Sequence, residues 1–266
     1  MRNFLLRMVQ STALPIYAAL ARAQLIRVPL VRKIFLVCYK LHKLKLEMGP
    51  IESLKTLVRP DDLVLDVGAN IGVFTVCFAR CVGPNGRVLA VEPEELNFAT
   101  LQAEIERAGV SDRSTLIRAV CAEQVGERLL VRNDMHPGDH RLALAGDGTP
   151  VRAVSIDALV GEQQGKRVGL VKIDVQGAEM IVLQGALETL RKHGPPLFVE
   201  IHEAGLAHFG ASPTALVQFL TSLGYTINRL EARGRAVPES EAELAADVKA
   251  KGYIDRLFLN AGQHHS

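Results

Sequence analysis

The sequence predicts an α/β fold, a doubly wound and mostly parallel sheet, and three observations carry that prediction. From Leu57 onward, short apolar runs alternate with helical patterns, the order that lays helices on both faces of a parallel sheet. The stretch LVLDVGANIG at 63–72 ends an apolar run on an acid and then uses two glycines and an asparagine in quick succession. Those residue types let a buried strand turn tightly into a helix with its backbone against a ligand. The next run, VLAVEPE, again ends on an acid, about 20 residues after the turn.

Strands are expected near 63–67, 87–91, 114–119, 168–173, 197–201, 224–228 and 254–260, each a short run rich in Val, Leu and Ile. Helices are expected near 72–82, 95–108, 177–192, 213–222 and, more weakly patterned, 239–250. Between the third and fourth strands lies a long excursion, residues 122–166. It holds two short strand-like pieces, 128–132 and 150–154, and the loop NDMHPGDHRLALAGDGT at 133–149. Loops this long inside a compact domain usually carry function.

The chain divides at Gly49-Pro50 into a basic amphipathic helical arm, 1–48, and a domain, 49–266. Charged residues make up 23% and the AVILMFWYC set 48% of the chain, a composition that buries a core. The net charge of +2 hides an asymmetry: residues 1–46 hold nine Lys/Arg and no acid, so the remainder is acidic on balance. A basic, apolar-faced arm suits an anionic membrane surface, self-association with a neighbouring subunit, or the chain's own acidic face. The longest uncharged stretch, Met8 to Ala21, is broken by Pro15, so no transmembrane helix of the usual kind is expected, and Arg7 spoils a signal sequence. Cys38, Cys77, Cys81 and Cys121 show no C-x-x-C spacing and read as small hydrophobes in a reducing compartment. The expected location is cytoplasmic, with the arm as a route to a membrane.

Four stations point to chemistry. Asp66 and Gly68 lie at a strand's carboxyl end, where doubly wound sheets bind ligands. Neither a second helix-opening GxGxxG nor a GxxxxGK[ST] sequence is present, which argues against a dinucleotide or a nucleoside triphosphate. Glu92 ends the next strand, where a carboxylate accepts two hydrogen bonds from a ribose diol, and Pro93 steers the chain away. VGLVKIDVQGAEMIVLQGAL ends a strand on Asp174, with Gly177 permitting a close turn; Lys172 shares a sheet face with Asp174, to pair with it or to anchor an anionic substrate. PPLFVEIHE places Glu200 and His202 on one face as an acid–histidine couple, and His202 is the best general-base candidate in the chain.

With these stations in place the chain resembles the FkbM-type S-adenosylmethionine-dependent methyltransferases, over roughly 50–260. The resemblance rests on DVGANIGVFT, VLAVEPE, VSIDAL, VKIDVQGAEMIVLQGA and FVEIHE in that order. It implies a seven-stranded Rossmann-like sheet whose last strand, near 254–260, runs antiparallel between its neighbours. It implies S-adenosylmethionine as cofactor, with Asp66, Gly68, Asn70 and Gly72 on the methionine side and Glu92 and Pro93 at the ribose. Ala119 and Val120 would then lie against adenine, and Asp174 would face both cofactor and acceptor. The implied activity is O-methylation of a hydroxyl on a sugar, a glycolipid or a polyketide-like natural product, with His202, Asp174 and Lys172 as catalytic residues. Gln176 departs from the family pattern, which commonly has glutamate there.

Two other readings stand beside this one: a methyltransferase acting on RNA or protein, and a non-catalytic nucleoside-binding module working through its arm. The acidic body and the absence of tryptophan argue against nucleic acid as a partner. A metal-dependent variant would draw on Asp174 with His136, Asp139 or His140, but no compact acidic cluster is present and no metal is assigned. The loop residues His136, His140 and Arg141 are expected to contact the acceptor.

Overall fold

The computed structural model describes residues 28, 49–131, 141–143, 148–163, 165–231, 234–260 and 262. The amphipathic helices expected in the arm, and His136, Asp139 and His140 of the loop, lie outside the described residues.

The chain enters the sheet through β1, Leu63–Val67, buried at all five positions. Alternation along β1 divides the core: Leu63, Leu65 and Val67 face one layer, and Val64 faces the other, with Phe74 and Phe78. Both faces are covered, which is why the strand reads as a continuous apolar run. Then follow α1 (Val73–Cys81), β2 (Arg87–Val91), α2 (Glu95–Ala108) and β3 (Ser114–Ile117). The excursion contributes β4 (Val120–Cys121), β5 (Gly126–Val131), β6 (Arg141–Ala143) and β7 (Thr149–Val154). The chain returns through α3 (Ile156–Gly161), β8 (Val168–Ile173), α4 (Glu179–Gln184), α5 (Leu187–His193) and β9 (Leu197–His202). It closes with α6 (Glu203–His208), α7 (Pro213–Ser222), β10 (Tyr225–Leu230), β11 (Ala236–Pro238), α8 (Glu241–Lys251) and β12 (Tyr253–Asn260).

The main sheet runs β11-β10-β12-β9-β8-β1-β2-β3. β1 pairs in parallel with β2 and β8, and β12 pairs antiparallel with β9 and β10. The fold is therefore the Rossmann-like α/β sheet with its last strand inserted antiparallel. It has eight strands where seven are expected, because Ala236–Pro238 adds a short edge strand antiparallel to β10. Strand order reverses between β1 and β8, so the crevice for a ligand lies beyond their carboxyl ends.

Three expectations about elements are corrected. The third strand stops at Ile117 instead of 119, and Val120–Cys121 join a separate four-stranded sheet, β4-β7-β5-β6. That sheet gathers the two strand-like pieces of the excursion with two strands the sequence did not announce. The helix expected over 177–192 is two helices, α4 and α5. At the break, a side chain on Gly185 would put its Cβ 2.1 Å from the Ala122 carbonyl oxygen, so the backbone must be bare there. Asp157 then caps the second helix, accepting hydrogen bonds from the Glu188 and Thr189 amides at 3.0 and 2.8 Å.

Candidate active site

Asp66 is fully buried on the α1 side of the sheet. Thr75 Oγ1, in the first turn of α1, donates to its Oδ2 at 2.6 Å, and Lys172 Nζ stands 3.2 Å from its Oδ1. Lys172 is the neighbour of Asp66 in the parallel register and is itself 3% exposed. Its ammonium donates to the Gly68 carbonyl at 2.7 Å, lies 3.7 Å from Asp174 Oδ2, and sits 5.3 Å above the Phe74 ring. One buried cation thus ties the turn after β1, the end of β8 and helix α1 together. Removing one partner of such a pair leaves an uncompensated buried charge, at a cost of about 3–5 kcal/mol. The ammonium is directed at the turn and lies between the carboxylates of Asp66 and Asp174.

The turn itself holds three residues in the left-handed region, Gly68 (φ 77°), Asn70 (φ 51°) and Gly72 (φ 86°). Gly68 is dictated by a close approach, since a Cβ there would fall 1.8 Å from the Asp174 carbonyl oxygen. Gly68 and Ala69 both donate to the Val91 carbonyl at 3.0 Å, and Asn70 N–H donates to Glu92 Oε2 at 2.8 Å. Glu92 is buried and takes a second backbone donor, Glu94 N–H, on Oε1 at 3.0 Å. Burial pushes its carboxyl up to about 7, against the pull of those two amide hydrogen bonds. Each oxygen keeps a further acceptor direction, the capacity a vicinal diol requires. The second glutamate of VLAVEPE works elsewhere, as Glu94 Oε2 caps α2 by accepting from Leu96 and Asn97 N–H at 2.8 Å.

Ala119 and Val120 are buried where the chain leaves β3. Val120 packs with Ala122, Leu130, Leu142, Ala153 and Ala178, a cluster that seats the second sheet on the turn between β8 and α4. The excursion therefore stands beside the site. Of the loop residues expected at the acceptor, Arg141 opens β6, while His136 and His140 lie outside the described residues.

At the end of β8, Asp174 is 24% exposed and its N–H donates to the Val67 carbonyl at 3.0 Å. Gln176 turns back in the left-handed region (φ 55°), and its Nε2 donates to Asp174 Oδ1 at 3.1 Å and to Glu200 Oε2 at 3.0 Å. The Gln176 side chain thus bridges two carboxylates with a neutral amide. Burial, then the charges of Asp174, Asp255 and Glu179, hold the Glu200 carboxyl well above the usual range. Glu200 precedes His202 by two positions on β9 and accepts this amide on Oε2.

Glu179 is a site residue that sequence reasoning missed. It is fully buried, and its Oε1 accepts from Gly177 N–H at 2.9 Å and Val175 N–H at 3.4 Å, clamping the turn from inside. Its Oε2 is buried without a hydrogen bond, and burial pushes the carboxyl up to about 7. The available signal was the acid placed two residues beyond Gly177 in DVQGAE. His202 ends β9 and opens α6, half-buried. It is brought to the Asp174 turn by two glycines: a Cβ on Gly205 would lie 2.8 Å from Gly177 Cα and 3.0 Å from His202 Nδ1. Among the described residues, no group of three or more His, Cys, Asp or Glu side chains is arranged to hold a metal ion.

The sequence profile of the methyltransferase FkbM domain matches residues 66–227, more than half of the chain and the whole run from Asp66 to β10. The chain belongs to the FkbM methyltransferase family. Among relatives, it is 28% identical over 208 residues, 64% of this chain, to AMB antimetabolite synthetase AmbE of Pseudomonas aeruginosa. It is 27% identical over 176 residues, 55% of this chain, to 31-O-demethyl-FK506 methyltransferase FkbM of Streptomyces tacrolimicus. It is 28% identical over 168 residues, 62% of this chain, to hexuronic acid methyltransferase AglP of Haloferax volcanii. The chain spans 10% of the length of the first, 67% of the second and 66% of the third. In FkbM-family terms, the matched region includes every strand end that builds the crevice, whereas the arm and α8 fall outside it.

Proposed function

We propose that this protein is an S-adenosylmethionine-dependent O-methyltransferase acting on a hydroxyl of a sugar, glycolipid or natural-product acceptor. The observation that carries the reading is Glu92, a buried strand-end carboxylate that keeps acceptor capacity beside a turn of left-handed residues. The residues present fit the cofactor: Glu92 would hold the ribose diol, and the turn from Gly68 to Gly72 would take the methionine portion. When bound, the cofactor supplies a sulfonium methyl group for transfer to oxygen. The acceptor's chemistry follows the relatives' names, one of which carries a 31-O-demethyl natural product and another a hexuronic acid.

The chain's own residues would do three things. Lys172, Asp66 and Thr75 hold the turn in a fixed place, so alignment costs nothing at the moment of reaction. Asp174, kept in position by Gln176, faces the crevice with a carboxylate suited to a hydroxyl or to a positive charge. His202, at the rim formed by Gly177 and Gly205, takes the acceptor's proton, a contribution of about 10²–10⁴-fold in typical cases. His202→Ala is expected to lower turnover by that order while cofactor affinity, read by calorimetry, stays near that of the wild type. A large loss of affinity would move His202 into the cofactor shell.

A partner reading comes from the arm. Nine Lys/Arg without an acid over 1–46, interleaved with apolar residues, support docking on an anionic membrane surface. No helix among the described residues is long and apolar enough to cross a membrane.

A further inference from the structure

β12 runs antiparallel to β9, so its first residue stands at the carboxyl edge of the sheet, where the crevice opens. That residue is Tyr253, which follows the turn at Gly252 (φ 82°) and is 43% exposed. Glu203 N–H, at the start of α6, donates to the Gly252 carbonyl at 3.3 Å and ties this turn to the end of β9. The pairing register sets Tyr253 directly opposite His202, and Asp255 opposite Glu200. Residues opposed in an antiparallel pair send their side chains to one face, with Cβ atoms about 4.5–5.5 Å apart. The next pair on this face, Phe198 and Leu257, packs in the α1 layer, whereas Ile201 and Ile254 belong to the other layer. The α1 face is also the one that carries Lys172, the register partner of Phe198.

We propose that Tyr253 is the platform for the acceptor, a neutral pyranose whose ring lies on the tyrosine face and presents one hydroxyl to His202. The inference rests on the methyltransferase reading above and narrows its acceptor. A tyrosine ring offers a broad apolar body with negative potential on its face, and the C–H groups on one side of a pyranose are turned toward such a surface. The neighbours of Tyr253 on this face are Glu200, His202 and Asp255. One aromatic ring among polar groups suits a small ring edged with hydroxyls, whereas an extended apolar acceptor requires an apolar groove.

Charge decides between a neutral sugar and a uronic acid. Asp255 is exposed two residues along β12 from Tyr253, and the Asp174 side chain is 24% exposed across Gln176 from Glu200. Carboxylates accept hydrogen bonds from sugar hydroxyls and repel a sugar carboxylate. The ammonium of Lys172, which could offset them, is buried and donates to the Gly68 carbonyl. Tyr253 and Asp255 both lie beyond residues 66–227, the span that matches the family profile.

The test follows methyl transfer from radiolabelled S-adenosylmethionine by the full-length protein. The acceptors are the methyl glycosides of glucose, galactose, mannose and rhamnose, with the glucuronide and galacturonide as charged counterparts. Transfer is expected to at least one neutral glycoside, with kcat/KM at least about tenfold lower for the uronides. Tyr253→Ala is expected to raise KM for that acceptor about tenfold while kcat and the KM for S-adenosylmethionine stay near those of the wild type, and Tyr253→Phe should behave as wild type. An unchanged acceptor KM in Tyr253→Ala, or a loss confined to kcat, would overturn the platform, the latter by making Tyr253 a support for His202. Equal use of a uronide would overturn the neutral acceptor. A protein that binds S-adenosylmethionine but methylates none of these glycosides would overturn the inference and leave the methyltransferase reading intact, whereas failure to bind the cofactor would remove both.

Discussion

Glu92 and Glu179 are both carboxyls that burial has pushed up to about 7 from 4.5, and the direction of that shift has consequences. A raised carboxyl binds its proton more tightly in the folded chain than in the unfolded one. Its contribution to stability is therefore present below about 4.5 and is lost as pH rises to about 7. Glu179→Gln is expected to flatten the fall in melting temperature across that window, compared with the wild type; parallel curves would show that Glu179 is ionised throughout. The cofactor acts in the opposite sense at Glu92, because ribose hydroxyls donate to the ionised form. Affinity for S-adenosylmethionine should rise with pH until about 7 and then level, and Glu92→Gln should remove the rise. At this scale much was legible in the sequence. Asp66, Glu92 and Asp174 each close an apolar run, so their place at strand ends followed from the pattern. The bonds from Lys172 to Gly68 and from Gln176 to Glu200 were not legible, since they join residues 104 and 24 positions apart. Glu179 escaped for a related reason: it acts on amides that point inward only once the turn has folded back.

Among elements, the crossing of the turn at Gly177 with helix α6 matters most to the site. Gly205→Ala would place a methyl group against Gly177 Cα and the His202 ring, so the turn and the histidine must separate. Turnover is expected to fall by about 10²-fold, the cost of a misplacement near 1 Å, while cofactor binding, measured separately, changes little. Full activity in that variant would mean that His202 needs no such support. The same element shows why local pattern misled: the apolar spacing of 179–190 continues through Gly185, and what breaks the helix is the Ala122 backbone arriving from the second sheet. The excursion was recognisable by its length, but β4 and β6, of two and three residues, carry too little pattern to be read before their partners are known.

For the whole molecule, the reversal of strand order between β1 and β8 opens a crevice beyond their carboxyl ends, and the second sheet packs beside it. The nine Lys/Arg without an acid over 1–46 carry the proposed membrane docking. Full-length protein should co-sediment with anionic vesicles, less so as salt rises, and deletion of 1–46 should abolish it. Co-sedimentation that survives the deletion would remove the membrane role, and a change of oligomeric state alone would assign the arm to self-association. Whether the crevice at the switch point is a nucleoside cradle is decided by calorimetric titration with S-adenosylmethionine and S-adenosylhomocysteine, on wild type and Glu92→Ala. The wild type is expected to bind both saturably, and a variant that remains folded is expected to lose that binding. Absence of binding by the folded wild type, or unchanged binding by the variant, would rule the cradle out.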